Sequence, residues 1–276
     1  MNRRYSDFGF PVLFDVMPTA IEDNIVKTAM DAHMDALASF IVERPHFDRR
    51  RCVIGSGFFA FSPAPAFALL CTAAHVIDDF VAAGFGWVTV GTLMIELRDV
   101  GFRRIDKVRD IAFWYIPSDF LIEYGITALP TFPLHDADFL ARTFAPTCSF
   151  AIFGYPGSKN RDIDMRDGGD RDRKLFGMAV HGYEYDVETQ ELCFFYAGKG
   201  TPEAWGNPQI TSVNLAGMSG GPCVQFVIHR EMQRLGIVVV GVFGRWKGKR
   251  ELRAAVLDSP WLTRDALPLQ TDPVGN

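Results

Sequence analysis

The chain has no apolar run long enough to cross a bilayer. Its most apolar internal stretches, around Phe67 to Ile77 and Gly236 to Phe243, fall well short of the roughly 20 residues that a spanning helix needs. The opening MNRRYSDFGFPVLFDV has two arginines, but Asp7, Pro11 and Asp15 break up the residues behind them, so no export signal and no membrane partner are expected. Basic charge is not in excess: 28 Lys and Arg against 33 Asp and Glu leave a net charge of −5. That balance gives no electrostatic footprint for a phosphate backbone, so nucleic acid is not an expected partner. Cysteine is scarce and scattered. Cys52, Cys71, Cys148, Cys193 and Cys223 form an odd set without a close pair, which suits reduced thiols in a cytoplasm better than a disulfide framework. Cys52 and Cys71 are the one pair that neighbouring strands could bring together. His33, His46, His75, His135, His181 and His229 fall in no HExxH or CxxC pattern, so neither a metal nor another cofactor is expected.

What is present is apolar and aromatic. The 276 residues are 48% hydrophobic, with 24 Phe, and only 22% charged, a composition that packs rather than stays solvated. From Thr19 to about Val42, Ile21, Ile25, Ala29, Met34, Leu37, Phe40 and Ile41 recur every three or four positions between Pro18 and Pro45. That period predicts an amphipathic helix in an N-terminal extension over residues 1–50. Beyond Arg51, short runs rich in Val, Phe, Ile and Thr predict strands at Cys52–Phe61, Phe67–Thr72, Gly86–Val90, Leu93–Leu97 and Ile111–Ile116. Pro117, Pro130, Pro133 and Pro146 mark a linker. A second series runs through Ser149–Phe153, Leu175–Val180, Glu191–Tyr196, Gln209–Leu215, Pro222–Ile228 and Leu235–Phe243. The chain is thus all-β. It divides into a first β unit over 51–116, a linker over 117–146, a second β unit over 147–262 and a tail over 263–276, and the two units imply barrels or sandwiches of similar size. Asn160 to Lys174 is too polar to bury and predicts an exposed loop. Its Asp162-x-Asp164 start fails as a calcium loop, because Arg166 takes the next ligand position.

Three short strings carry residues capable of chemistry. In Gly217-Met-Ser219-Gly-Gly-Pro222, glycines let the backbone turn tightly and aim amides at one point beside a serine oxygen, which needs a base and an oxyanion site to act as a nucleophile. A plain glycine-rich turn is the bland alternative. In Thr72-Ala-Ala-His75, a strand end leads to an imidazole, the side chain that takes and gives a proton near neutrality. In Arg109-Asp110-Ile-Ala, a carboxylate precedes an apolar strand and could hold that imidazole in one tautomer; Asp99 and Asp106 are its rivals. The order His75, Asp110, Ser219 is one of the few arrangements found in hydrolytic triads.

These strings, with Gly55-Ser-Gly-Phe58, resemble the motif set of the trypsin/chymotrypsin-like serine peptidases, especially stand-alone bacterial members. The resemblance spans about Arg51 to Trp246. It implies two six-stranded antiparallel β-barrels following the N-terminal helix, with His75 and Asp110 from the first and Ser219 from the second. It also implies an oxyanion hole from the amides of Gly217 and Ser219, and a serine endopeptidase acting on protein or peptide substrates. On the family pattern, Phe243, Gly244 and Arg245, just after Val242, would pair with the bound peptide, and Val213 would floor the specificity pocket, whose neutrality disfavours Lys or Arg. Digestive members carry Asp where this chain has Met218. The resemblance therefore implies activation without that ion pair, with a loop or a regulatory protein partner setting the oxyanion hole. Protein quality control and defence are the roles that analogy suggests.

Competing motifs fail on order or context. Gly217-x-Ser-x-Gly221 fits the nucleophile elbow of α/β-hydrolases, but an acid and then a histidine should come after it, and His229 precedes every later acid. Gly55-x-Gly-x-x-Ala60 mimics a dinucleotide fingerprint, yet Pro63 and Pro65 prevent the helix that must come next. The alternative from another class is a catalytically inactive module of the same fold that binds proteins or peptides.

Overall fold

A computed structural model of the chain describes residues 31, 33–43, 51–62, 64–132, 150–157, 160, 175–180, 183–195, 215–229, 234–247 and 251–257. Among the described residues it is all-β, with two seven-stranded antiparallel sheets and, beyond the single helical residue Asp31, two short α-helices. In the first sheet the strands β1 (Leu37–Glu43), β2 (Arg51–Ala60), β3 (Phe67–Thr72), β4 (Gly86–Val90), β5 (Leu93–Leu97), β6 (Phe102–Asp106) and β7 (Ile111–Pro117) run in the order β5-β4-β1-β2-β3-β7-β6. The second sheet holds β8 (Phe150–Gly154), β9 (Phe176–Val180), β10 (Tyr183–Asp186), β11 (Glu191–Phe195), β12 (Pro222–His229), β13 (Arg234–Lys247) and β14 (Glu251–Val256), in the order β10-β11-β14-β13-β12-β8-β9. The expected six strands per barrel are corrected to seven. Among the described residues no pairing joins the first sheet's edges, β5 and β6, or the second's, β10 and β9, so neither barrel is closed.

The seventh strand of the first sheet is β1, where the helix reading of 19–42 fails at its C-terminal end; residues 19–30 lie outside the described residues. Leu37 to Val42 are all buried, so the segment is covered on both faces and its apolar residues follow neither period strictly. A short continuous apolar run does not distinguish a strand from a buried helix. Pairing with β2 from Leu37↔Phe58 to Glu43↔Arg51 settles it as a strand. A single 3-10 turn, Met34–Ala36, precedes it.

Alternation along the second sheet distributes its side chains between two cores, because successive strand residues point to opposite faces. Phe150 and Ile152 of β8 join Met178, Leu192, Phe194 and Met218 in that sheet's own core. Ala151 and Phe153, with Val224, Phe226, Ile237 and Val239, join the core of the first sheet. The two sheets are therefore packed through one continuous apolar layer. The connection between them is fastened at Phe132, which is fully buried, meets Phe58 edge to face at 5.8 Å, and exchanges backbone hydrogen bonds with Phe59 and Phe61. Residues 133–146 of the expected linker, 161–174 of the expected loop, and the tail lie outside the described residues. Asn160 is not exposed as expected: it is buried, with its side-chain amide donating to the Pro156 carbonyl.

Two helices went unread in the sequence. α1 (Ala74–Ala82) starts directly after β3, burying Val76, Ile77 and Phe80 on one side and leaving Asp78 and Asp79 outward. It ends with Phe85 N–H bonded to the Phe80 carbonyl and Gly84 N–H to that of Val81, a motif that satisfies orphaned helix carbonyls. α2 (Ser118–Glu123) comes directly after β7. Among the described residues no helix is long and apolar enough to cross a membrane.

Phe40 sits fully buried in β1 and meets the Phe80 ring of α1 edge to face at 5.3 Å. If β1 belongs to the core, Phe40→Ala should destabilise the protein by about 3–5 kcal/mol, measured by urea unfolding; a loss below about 1 kcal/mol would return residues 37–43 to a peripheral extension.

Candidate active site

His75 lies in the first turn of α1, so β3 and α1 together fix where its ring stands. Asp110 occupies the turn between β6 and β7 with φ +56°, a left-handed conformation that Asp tolerates better than most residues. The approach to that turn is built by Asp106, whose carboxylate accepts the backbone N–H groups of Val108 and Arg109. Asp110 accepts two hydrogen bonds from His75, one from the backbone N–H at 3.0 Å and one from ring Nδ1 at 2.8 Å. The first satisfies an orphaned donor at the start of α1, where negative charge is favoured. The second fixes the tautomer: an ionised carboxylate can only accept, so Nδ1 carries the hydrogen and Nε2 keeps its lone pair. Of the rival acids, Asp99 pairs with Arg103 and Asp106 makes the turn just described. The Asp110 hydrogen bond raises the His75 pKa above its ordinary value against the opposing effect of burial, and the charges of Asp110, Asp79 and Asp78 add to the rise.

Ser219 stands on a turn leading into β12. His75, Asp110 and Ser219 line one cleft of about 530 Å³, together with Phe243, Gly244 and Arg245 of β13. His75 and Ser219 share this cleft without a hydrogen bond between them. The turn is tied to β13 by Gly220 N–H donating to the Phe243 carbonyl and Phe243 N–H to that of Gly221. β13 in turn passes close to Asp110: a Cβ at Gly244 would lie 3.1 Å from the Asp110 Oδ2. Val213 lies outside the described residues. Met218 is fully buried among Leu215, Cys223 and Phe243, so its side chain serves the core.

Two glycines of the turn are demanded by geometry. Gly217 has φ +92°, and a Cβ there would lie 2.5 Å from the Gly157 nitrogen; Gly220 has φ +89°, and a Cβ would lie 2.1 Å from the Ser56 carbonyl oxygen. The adjoining peptide planes are held from behind. Gly157 N–H donates to the Ala216 carbonyl at 2.6 Å, and Gly221 N–H to the Met218 carbonyl at 3.0 Å. A trans peptide points its N–H opposite to its C=O. The N–H groups of Gly217 and Ser219 are thereby turned away from those anchors, and among the described residues neither has an acceptor.

What sequence reasoning missed is the role of Ser56, which lies in the middle of β2 and inside the Gly55–Phe58 string. It is fully buried and makes four hydrogen bonds around the serine turn. Its N–H donates to the Ser219 carbonyl at 2.7 Å, its Oγ donates to the Gly217 carbonyl at 2.7 Å and accepts from Tyr155 N–H at 2.8 Å, and its own carbonyl accepts from Thr72 Oγ1 at 2.6 Å. A serine inside an otherwise apolar strand was the available signal, since a buried hydroxyl must find partners.

Neither a comparison with known protein families nor one with curated proteins returns a match. Among solved structures, the chain is similar to one described for coupled folding and binding of the Sesbania mosaic virus VPg protein, at 16% identity over 85% of this chain and 91% of that one, with a TM-score of 0.47. It is also similar to an inactive serine-to-alanine mutant of Rv3671c from M. tuberculosis H37Rv, at 18% identity over 89% and 92% of the two chains, with a TM-score of 0.41. The functional reading rests instead on the site's own geometry.

Ser56→Ala would leave the Tyr155 N–H and the Gly217 carbonyl without their partner. The expected cost is about 1–3 kcal/mol for unsatisfied buried groups, read by chemical denaturation. A variant as stable as the wild type would show that the seam does not depend on the hydroxyl.

Proposed function

We propose that the protein is a serine endopeptidase of the trypsin-like kind, cutting peptide bonds with Ser219 as nucleophile, His75 as general base and Asp110 as the group that orients His75. The observation that carries this reading is the Asp110–His75 pair, with a fixed tautomer and a half-exposed ring, on the same cleft as Ser219. In the reaction, Nε2 takes the Ser219 hydroxyl proton as the oxygen attacks the substrate carbonyl, and later delivers it to the leaving amine. The N–H groups of Gly217 and Ser219 receive the oxyanion, for which a single such donor is typically worth about a hundredfold or more in rate. The anchored peptide planes support a hole set by the fold's own hydrogen bonds, with no ion pair at position 218, and a regulatory partner would act on substrate access or on the closing of the gap between His75 and Ser219. Gly244 and Arg245 offer a strand for the substrate backbone to pair with, while Phe243, whose own backbone is taken by the serine turn, lines the cleft beside them. The odd, scattered set of five cysteines supports a cytoplasmic setting.

A serine-reactive fluorophosphonate should label the wild-type protein and not Ser219→Ala. Equal labelling of the two would remove the enzymatic reading and leave a peptide-binding module of the same fold.

Activity requires neutral His75, so the rate should fall as pH drops through its pKa, which lies above the ordinary value of about 6.5. Asp110→Asn removes the charge that raises it and replaces one acceptor oxygen with an N–H donor. The acid limb of kcat/KM should then move toward about 6.5, and kcat should fall on the order of 10³- to 10⁴-fold. A pH profile that is flat between about 5 and 8 would discard His75 as the base.

A further inference from the structure

The charged groups lining the cleft are Lys107, Asp110, Arg245 and, when protonated, His75. Asp110 is committed to His75. Lys107 is balanced on the exterior by Asp78, 2.8 Å from its Nζ. Arg245 differs: it is 60% exposed, and its ion-pair partner, Glu191 Oε1, stands 3.5 Å from its Nη2. That carboxylate is buried and already engaged, because Glu191 Oε2 receives Arg253 Nη1 at 2.6 Å, and Arg253 also bonds Glu251. A planar guanidinium has five N–H donors in a fixed fork. Glu191 restrains Arg245 at one end of that fork and leaves the rest to solvent in the cleft.

From this arrangement we infer that Arg245 is a specificity-determining residue, and that the cleft selects peptides with an acidic side chain within a few residues of the bond to be cut. The identity of that bond's chemistry rests on the peptidase reading; the preference for a carboxylate does not. The physical basis is a bidentate Arg–carboxylate pair, which is stronger and more directional than a point-charge contact. Anchoring by Glu191 means that less side-chain freedom is lost when the pair forms. An Asp or Glu side chain gains this contact, whereas the isosteric Asn or Gln offers one acceptor and no charge. A lysine at the same position is repelled.

The test uses the full chain carrying Ser219→Ala, so that binding is read without cleavage, and fluorescent peptides blocked at both ends so that only side chains carry charge. Peptides differing by Glu against Gln, or Asp against Asn, should separate about tenfold in Kd at low salt, with the difference shrinking as salt rises. Adding Arg245→Ala should erase the difference, and Arg245→Glu should reverse it in favour of Lys peptides; the exposed position lets both variants fold, as a thermal melt would verify. Equal affinity for acidic and amide peptides, no detectable binding of any acidic peptide, or a preference that survives Arg245→Ala would each overturn the inference. Failure of fluorophosphonate labelling in the wild type would defeat the peptidase reading alone and leave this comparison standing.

Discussion

The architecture of the site depends on a close approach of two backbones, β2 of the first sheet and the serine turn of the second. They meet at Ser56, whose N–H and hydroxyl hold the carbonyls of Ser219 and Gly217. Nothing larger fits in the seam, since a Cβ at Gly220 would collide with the Ser56 carbonyl. Hydrogen bonding inside an apolar surround is costly to break, because the groups left behind find no water. The seam therefore sets the distance between a sheet that supplies an imidazole and a sheet that supplies an alcohol.

Around that seam, polar groups serve structure and the proposed chemistry at once. The carboxylate of Asp110 neutralises an orphaned N–H at the start of α1 and orients the ring one bond further on. The carbonyl of Ala216 ties the serine turn to Gly157 and that of Met218 closes the turn on Gly221, and both are thereby occupied on the side away from the amides of Gly217 and Ser219. Even Met218, where a charged residue stands in digestive peptidases, contributes apolar volume to the second core. The turn is thus tied to packing on one side and to hydrogen bonds on the other.

Much of this was legible in the sequence. β3, β4 and β5 fall at the expected residues, because each is a short apolar run between unmistakable turns. The strings around His75, Asp110 and Ser219 marked the cleft, since small residues beside a polar one rarely serve the core alone. Other parts were hidden for physical reasons. β1 is buried on both faces and so lost the alternation that identifies a strand. β6, Phe102–Asp106, is half-buried throughout and carries charge at Arg103, Arg104 and Asp106, and α1 is too brief and too close to β3 to show its period. The polar residue at 56 could be noticed but its partners could not, because they lie up to 163 residues away, and no local pattern encodes a contact of that separation. Arg245 was placed beside the substrate by resemblance, but its buried anchor Glu191 could emerge only from the pairing of β11, β14 and β13.

Strands β13 and β14 also tie the two halves of the site together. The guanidinium of Arg109, next to Asp110, bonds the carbonyl of Val256 at the end of β14, and the serine turn is stitched to β13. Contacts so distant along the chain form late, after the costly closure of long loops. A chain that has not yet paired β13 with β14 holds the imidazole and the hydroxyl but lacks the frame that brings them to one cleft.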